Sequence, residues 1–274
     1  MSSRPTHPEH LPSGPVRITP EPVALPEPWR SSRLTVVVPT YDEAENLPIL
    51  VSRLAALDLP ELRIVVVDDN SPDGTGEIAD KLAVELAGRL SVVHRTTKDG
   101  LGRAYVAGMS RALDDGADYV VQMDADLSHP VGYLPQLLGT LHSTNAGVVI
   151  GSRYVPGGSL SEAWGLRRRL LSGWANAYVK TVLSIPVRDV TAGFKVWRAS
   201  ALSALDLPSI ESTGYAFQVE MHYRAYRRGQ KIVEIPIHFE DHVVGQSKLD
   251  GAVALEAALR PLRLRRSENG RHQR

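Results

Sequence analysis

Cysteine is absent from the 274 residues. That gap excludes disulfides, thiolate zinc sites, iron–sulfur clusters and cysteine nucleophiles together, and it fits a cytoplasmic address. Net charge is missing too, since 31 Lys and Arg stand against 31 Asp and Glu. Without a global field of one sign, nucleic acid is not an expected partner and charge effects are local. No apolar run approaches the ~20 residues that cross a bilayer, and Met1 to Arg30 lacks the apolar core of a signal peptide. A chain that is soluble, or peripheral at the cytoplasmic face of a membrane, is expected. No repeat of fixed period is present. Gly100-Leu101-Gly102 lacks the third glycine of a dinucleotide fingerprint, Tyr105 standing in its place.

What is present reads as a globular α/β protein, with 43% hydrophobic and 23% charged residues. Eight of the 19 prolines fall between Pro5 and Pro28, so residues 1–30 are expected to form a disordered head or a tether. From Arg33 the β-branched run LTVVVPTYD gives way to EAENLPILVSRLAALD, whose apolar residues have helical spacing. Leu62 to Val67, DDNSPDGTG and EIADKLAVELAGRL repeat that order, and SVVH, GRAYVAGMSRALDDG and ADYVVQMDAD extend it. Buried-looking strands alternating with helices predict a mostly parallel sheet covered on both faces. The second half is less regular. A strand AGVVIGSRY, a helix near Leu166 to Leu183, a turn at Asp189 to Gly193, a strand near Phe194 to Arg198, a helix near Phe217 to Arg228 and a strand near Lys231 to Phe239 complete a single domain over residues 31–250. Residues 251–274 interleave Val253, Leu255, Leu259, Leu262 and Leu264 with Arg260, Arg263, Arg265 and Arg266. This basic segment suits either a membrane surface or a solvated terminal helix.

Ligands of parallel sheets bind beyond the carboxyl ends of the strands. Three such endings are polar: Pro39-Thr40-Tyr41-Asp42-Glu43, Asp68-Asp69-Asn70-Ser71 and Asp124-Ala125-Asp126. Two carboxylates two residues apart at a strand end suit Mg²⁺ or Mn²⁺, hard ions that complete their shells with water and phosphate oxygens. Asp68 and Asp69 either cap the following turn or accept hydrogen bonds from a nucleobase edge. Opposite them, Arg153 follows a strand end, Arg167, Arg168 and Arg169 open a helix that carries Ser172 and Asn176, and Lys248 ends HVVGQSK. Arginine forks suit phosphate oxygens. A metal and several arginines equip one site for two phosphorylated substrates.

Nine motifs in order, PTYDEAENL, VDDNSPDGT, KDGLGRAY, MDADLSHP, GSRYVPGG, RRRLLSGWAN, DVTAGFK, YAFQVE and GQSK, run from Thr35 to about Leu249. In this combination the chain resembles the dolichol- or polyprenol-phosphate mannose synthases, inverting family-2 glycosyltransferases of the Rossmann-like GT-A fold. The resemblance implies that Pro39, Tyr41, Glu43, Val67 and Asp69 hold the donor nucleoside, Asp69 reading the base. It places Asp124, Ala125 and Asp126 on the donor diphosphate and metal, Asp126 leading. Arg153 would face both substrates, Arg168 and Ser172 would bind the acceptor phosphate, and Val219 and Lys248 would make further donor contacts. Asp189 and Glu220 would stand behind them. Two positions depart from the family: His242 stands where arginine is common, six residues before Lys248, and Ser128 where some relatives have a glutamine metal ligand. A largely neutral histidine weakens one diphosphate contact, and serine coordinates metal weakly.

The reaction so implied is attack of a polyprenyl monophosphate on the anomeric carbon of GDP-mannose, with inversion and release of GDP. The attacking phosphate oxygen is already ionised and needs no strong base, consistent with the lack of an obvious Ser-His-Asp arrangement. Asp126, Arg153, Arg168 and Ser172 are the expected catalytic residues. Such an acceptor lives in a bilayer, so a membrane surface or an integral membrane partner is expected. UDP-glucose or another donor, a metal-dependent nucleotidyltransferase, and a noncatalytic membrane-associated binding module are the alternatives.

Overall fold

A computed structural model describes residues 23–161, 166–212, 214–240 and 260–265, excluding the side chains of 166–171 and 215. Its first half follows the expected alternation: β1 (Leu34–Thr40), α1 (Asn46–Ala55), β2 (Leu62–Asp68), α2 (Thr75–Glu85), β3 (Leu90–His94), α3 (Leu101–Asp114) and β4 (Tyr119–Gln122). Then come α4 (Leu134–Thr144), β5 (Val148–Ser152), β6 (Ser159–Leu160), α5 (Leu166–Leu183), β7 (Lys195–Arg198), α6 (Ala199–Ser203), α7 (Gly214–Arg227), β8 (Ile232–Pro236) and β9 (His238–Phe239). The main sheet has the order β3-β2-β1-β4-β7-β5-β8, and β6 pairs with β9 beside it. β7 alone runs antiparallel, between β4 and β5. The single strand expected over Lys231 to Phe239 is two, because beyond Pro236 the chain turns to pair with β6.

Alternation along each strand builds two cores. Val36 and Val38 face the side covered by α1, α2 and α4, while Val37, Val65 and Val67 face α3, α5 and α7. Each valine sealed in this way stabilises the fold by roughly 1.5–3 kcal/mol relative to exposure. α3 lies close on the sheet because residue 108 is glycine: a Cβ there would stand 2.7 Å from Val67 Cγ2 and closer still to Val37 Cγ1.

Residues 23–30, expected in a disordered head, pack instead. Leu25 enters the first core, Trp29 stacks on His142 with ring centroids 5.0 Å apart, and Arg30 pairs with Asp58. Leu25 and Trp29 are the apolar side chains that anchor this stretch. The basic C-terminal segment also docks in part, with Leu264 buried in the second core and Arg265 donating to Val182 O at 3.1 Å.

Gly108→Ala gains about 1 kcal/mol of helix propensity but forces the sheet and α3 apart, at a cost of roughly 1–3 kcal/mol. The clash wins where backbone and β-branched side chains cannot move aside. A lower melting temperature by calorimetry is expected; a higher one would show that α3 is free to shift.

Candidate active site

The cleft begins where β1 and β4 part. Their pairing ends at Val37 and Gln122, whereas β1 stays paired with β2 as far as Thr40 and Asp68. Pro39, which stopped the apolar run in the sequence, is tolerated inside β1 because its missing N–H would face the side where β4 has already left. The opening, about 270 Å³, is lined by Pro39, Thr40, Tyr41, Glu43, Asp69, Lys98, Gly100, Leu101, Ala104, Asp124, Ala125 and Asp126. Seven residues expected on the donor thus meet in one place. Val67 and Val219 do not line it: both side chains are buried in the second core, which α3 and α7 help to build.

Hydrogen bonds divide the paired aspartates by task. Asp68 caps its turn, accepting from Ser71 N at 3.1 Å, Ser71 Oγ at 2.5 Å and Thr40 Oγ1 at 3.2 Å. Asp69 turns into the cleft and accepts from Arg95 Nη1 at 2.5 Å. Burial pushes the Asp69 carboxyl up, and this outweighs the pull of Arg95. Glu43 accepts from Asn46 Nδ2 at 2.8 Å, and its own N–H donates to Thr75 Oγ1 at 3.0 Å, tying the loop after β1 to the start of α2. Lys98 Nζ lies 3.2 Å from the centroid of the Tyr41 ring. Arg95 and Lys98 escaped the sequence reading, although Arg95 directly follows β3 and the strand-end criterion applied to that strand would have found it.

Asp124 is held from three sides. Tyr105 donates to its Oδ1 at 2.6 Å, and burial followed by the charge of Asp124 raises the phenol well above its ordinary pKa, so it remains a donor. The Asp124 N–H donates to His129 Nδ1 at 3.1 Å. That leaves the imidazole proton on Nε2, which stands 3.9 Å from Asp124 Oδ2. Burial lowers the His129 pKa, keeping the ring neutral. Gly193 permits this packing, since a Cβ there would stand 2.9 Å from His129 Cε1 and 3.0 Å from Asp124 Oδ2.

Asp126 Oδ1 accepts from both Ser128 N at 3.0 Å and Ser128 Oγ at 2.6 Å. Ser128, expected as a weak metal ligand, is therefore engaged in orienting Asp126. Among the described residues no three metal-ligating side chains converge. The donor set that fits a cation here is the pair of hard carboxylates Asp124 and Asp126, with remaining positions for water and phosphate oxygens.

The expected acceptor side is built on β5 and α5. Arg153 grips the fully buried Asp189 through Nε at 2.8 Å and Nη2 at 2.6 Å, and Nη2 also reaches Thr191 Oγ1 at 2.8 Å. Its guanidinium does not line the cleft described above. Ser172 Oγ accepts from Tyr154 OH at 2.8 Å, and Asn176 Oδ1 accepts from Val190 N at 2.8 Å, joining α5 to the loop that carries Asp189. Arg168 lies on α5 four residues before Ser172, with its side chain outside the described residues. His242 and Lys248 lie outside them as well. Glu220 points away from the cleft lining, into a network with Arg224 Nη2 at 2.5 Å and Arg260 Nη2 at 3.0 Å that anchors residues 260–265.

The model of the family described as "Glycosyl transferase family 2" matches residues 35–205. The chain belongs to that family. An undecaprenyl-phosphate mannosyltransferase of Micrococcus luteus is 45% identical to this transferase over 227 residues, 83% of this chain and 91% of that protein. A polyprenol monophosphomannose synthase of Mycolicibacterium smegmatis is 44% identical over 83% of this chain and 84% of that one. Among solved structures, a glucosyl-3-phosphoglycerate synthase from Mycobacterium tuberculosis in complex with Mn²⁺, uridine-diphosphate and phosphoglyceric acid superposes with a TM-score of 0.63. It is 19% identical, over 85% of this chain and 78% of that chain. At that identity the likeness establishes the fold, which is GT-A.

Gly193→Ala would push His129 and the Asp124 carboxylate aside while removing no polar group from the site. Misplacement on this scale costs on the order of tenfold to a hundredfold in kcat. Steady-state kinetics alongside a melting curve check it; wild-type kcat in the folded variant would refute the orienting role given to this contact.

Proposed function

We propose that this transferase moves mannose from GDP-mannose to a polyprenyl monophosphate, inverting the anomeric carbon and releasing GDP. The observation that carries the reading is the likeness, at 45% and 44% identity over 83% of the chain, to two proteins named for mannose transfer to polyprenyl phosphates. The cleft supports it chemically. Asp69, steadied by Arg95 behind it, offers an acceptor at one edge, which suits the N–H donors on the Watson–Crick edge of guanine. Tyr41 and Pro39 provide the wall beside it.

Asp124 and Asp126 would hold Mg²⁺ or Mn²⁺. Such an ion, when bound, neutralises charge on the diphosphate as it departs. Tyr105, His129 and Ser128 keep the two carboxylates in fixed orientations, so their field needs little rearrangement during the reaction. On the other side Arg153, Arg168 and Ser172 would align the acceptor phosphate, whose ionised oxygen attacks without a general base. Lys248 and His242 would assist the leaving diphosphate. Among the described residues no helix is long and apolar enough to cross a membrane. Because a polyprenyl acceptor lives in a bilayer, we propose that the enzyme works at the cytoplasmic membrane surface, meeting its lipid there or on an integral partner.

Labelled GDP-mannose, Mn²⁺ and a polyprenyl phosphate should yield lipid-linked mannose with purified protein. Asp126→Ala is expected to lower turnover by about a hundredfold or more, in line with the loss of a preorganised electrostatic group. Faster transfer from UDP-glucose, or undiminished turnover in the variant, would reject the donor and the metal assignment respectively.

Arg168→Ala separates the two substrates. Loss of one charge-assisted phosphate contact, worth about 1.5–3 kcal/mol, should raise KM for the lipid phosphate roughly tenfold to a hundredfold and leave the affinity for GDP-mannose nearly unchanged. Calorimetric titration of the donor and kinetics in the acceptor measure the two effects; an equal loss in both would count against an acceptor role.

A further inference from the structure

Beneath the cleft lies a charged group that none of these assignments uses. Lys195, the first residue of β7, is fully buried. Its strand is inserted between β4 and β5, and it sits opposite Gln122 on one side and Ile150 on the other. The chain of β4 continues two residues past Gln122 to Asp124, and just beyond the end of β5 is Arg153, which grips Asp189. Lys195 thus lies in the sheet between the strand that leads to the donor-side carboxylate and the strand that leads to the acceptor-side arginine.

Its hydrogen bond goes to a neutral amide: Lys195 Nζ donates to Gln218 Oε1 at 2.6 Å, and Gln122 Nε2 donates to the same oxygen at 2.6 Å. Trp197 Nε1 fixes Gln122 in turn, donating to its Oε1 at 3.4 Å. His222, also fully buried, donates from Nδ1 to Val190 O at 3.0 Å, and its Nε2 has no partner among the described residues. Burial, then the charge of Lys195, lowers the His222 pKa well below its ordinary value, so the histidine stays neutral and adds no second positive charge.

An ammonium buried against an amide is a poor device for stability. Replacing such a charge with a well-packed apolar side chain is often neutral or stabilising. What the position offers is electrostatic. Burial pulls the Lys195 pKa down to about 7, and the attraction of Asp124 and Asp189 opposes that fall.

We propose that Lys195 is a positioning residue shared by the two halves of the site, its ammonium form offsetting the charge of Asp124 and Asp189 from behind so that Tyr105, His129 and Arg153 hold them in their working orientations. It touches neither substrate and acts through the donor carboxylate and through the Asp189–Arg153 clamp. The inference rests on the donor and acceptor roles proposed above.

Two variants test it. Lys195→Met removes the charge and fills the space; Gln218→Glu keeps the lysine and sets a carboxylate against it with almost no change in shape. Both should melt at or above the wild-type temperature, and both should raise KM for GDP-mannose and for the lipid phosphate by about tenfold, the scale of one charge acting across a partly screened interior. Calorimetric titration with GDP and Mn²⁺ reads the donor half without turnover and should weaken by a similar factor. A fall in melting temperature with unchanged KM values and GDP affinity, or failure of both variants to fold, would make the residue structural and overturn the proposal. Wild-type protein that binds GDP but transfers no mannose would sink the functional reading alone, and weakened GDP binding in the variants would still uphold Lys195.

Discussion

The divergence of β1 and β4 after Val37 and Gln122 is the constraint on which the site depends. β2 stays with β1 for three more residues and so carries Asp69 up beside Tyr41. β4 releases its chain at Met123, which turns Asp124 and Asp126 across the gap. Chain order reverses direction at this point, β2 and β3 lying to one side of β1 and β4 to the other. A crevice beyond the carboxyl ends of parallel strands is the expected ligand position at such a switch. Filling it with carboxylates carries a cost in self-repulsion that the surrounding donors Arg95, Tyr105 and Ser128 offset.

Those donors also explain why neighbouring acids of one type serve different ends. Asp68 spends its oxygens on Ser71 and Thr40 and becomes part of a turn, while Asp69, one residue later and on the other side of the strand, reaches the cleft. Asp124 is fixed by groups from α3 and from the loop after β4, and Asp126 by its own turn through Ser128. Each orientation is thus set before any ligand arrives. Preorganisation of this kind is what lets a site stabilise developing charge without moving.

Much of this architecture was legible in the residues. β-branched runs bounded by turn residues located β1, β2 and β4, and helical spacing located α1, α2 and α3. The strand-end rule alone brought Tyr41, Glu43, Asp69, Asp124 and Asp126 to one edge. The position of β7 was not legible, because four residues, KVWR, carry no signal of direction or neighbour. Tyr105 was hidden because a buried aromatic on a helix reads as core, and it is core in every respect except its hydroxyl. His129 sat inside a motif already noted, but its partner is a main-chain N–H, which no side-chain pattern reveals. Val67 and Val219 came from resemblance, and their side chains lie in the second core, Val67 because strand alternation turns it toward α3 and Val219 because it is on the buried side of α7.

A chain of zero net charge can still offer strong local fields if charges of opposite sign are kept apart by the fold. Here acids and Lys98 line the opening, while other described cations stand behind: Arg95 behind Asp69, Arg153 against Asp189, and Lys195 on β7 beneath the cleft. Most are shielded from water, where their attraction is screened less than at the surface. Truncating one member of a buried pair such as Arg153 and Asp189 typically costs about 3–5 kcal/mol, whereas the intact pair adds little to stability over apolar residues. Such pairs are retained where their direction matters, and here Asp189 fixes the direction of an arginine at the mouth of β5. Chemistry that depends on aligning two phosphorylated molecules, with no proton to abstract from the nucleophile, depends on that kind of order.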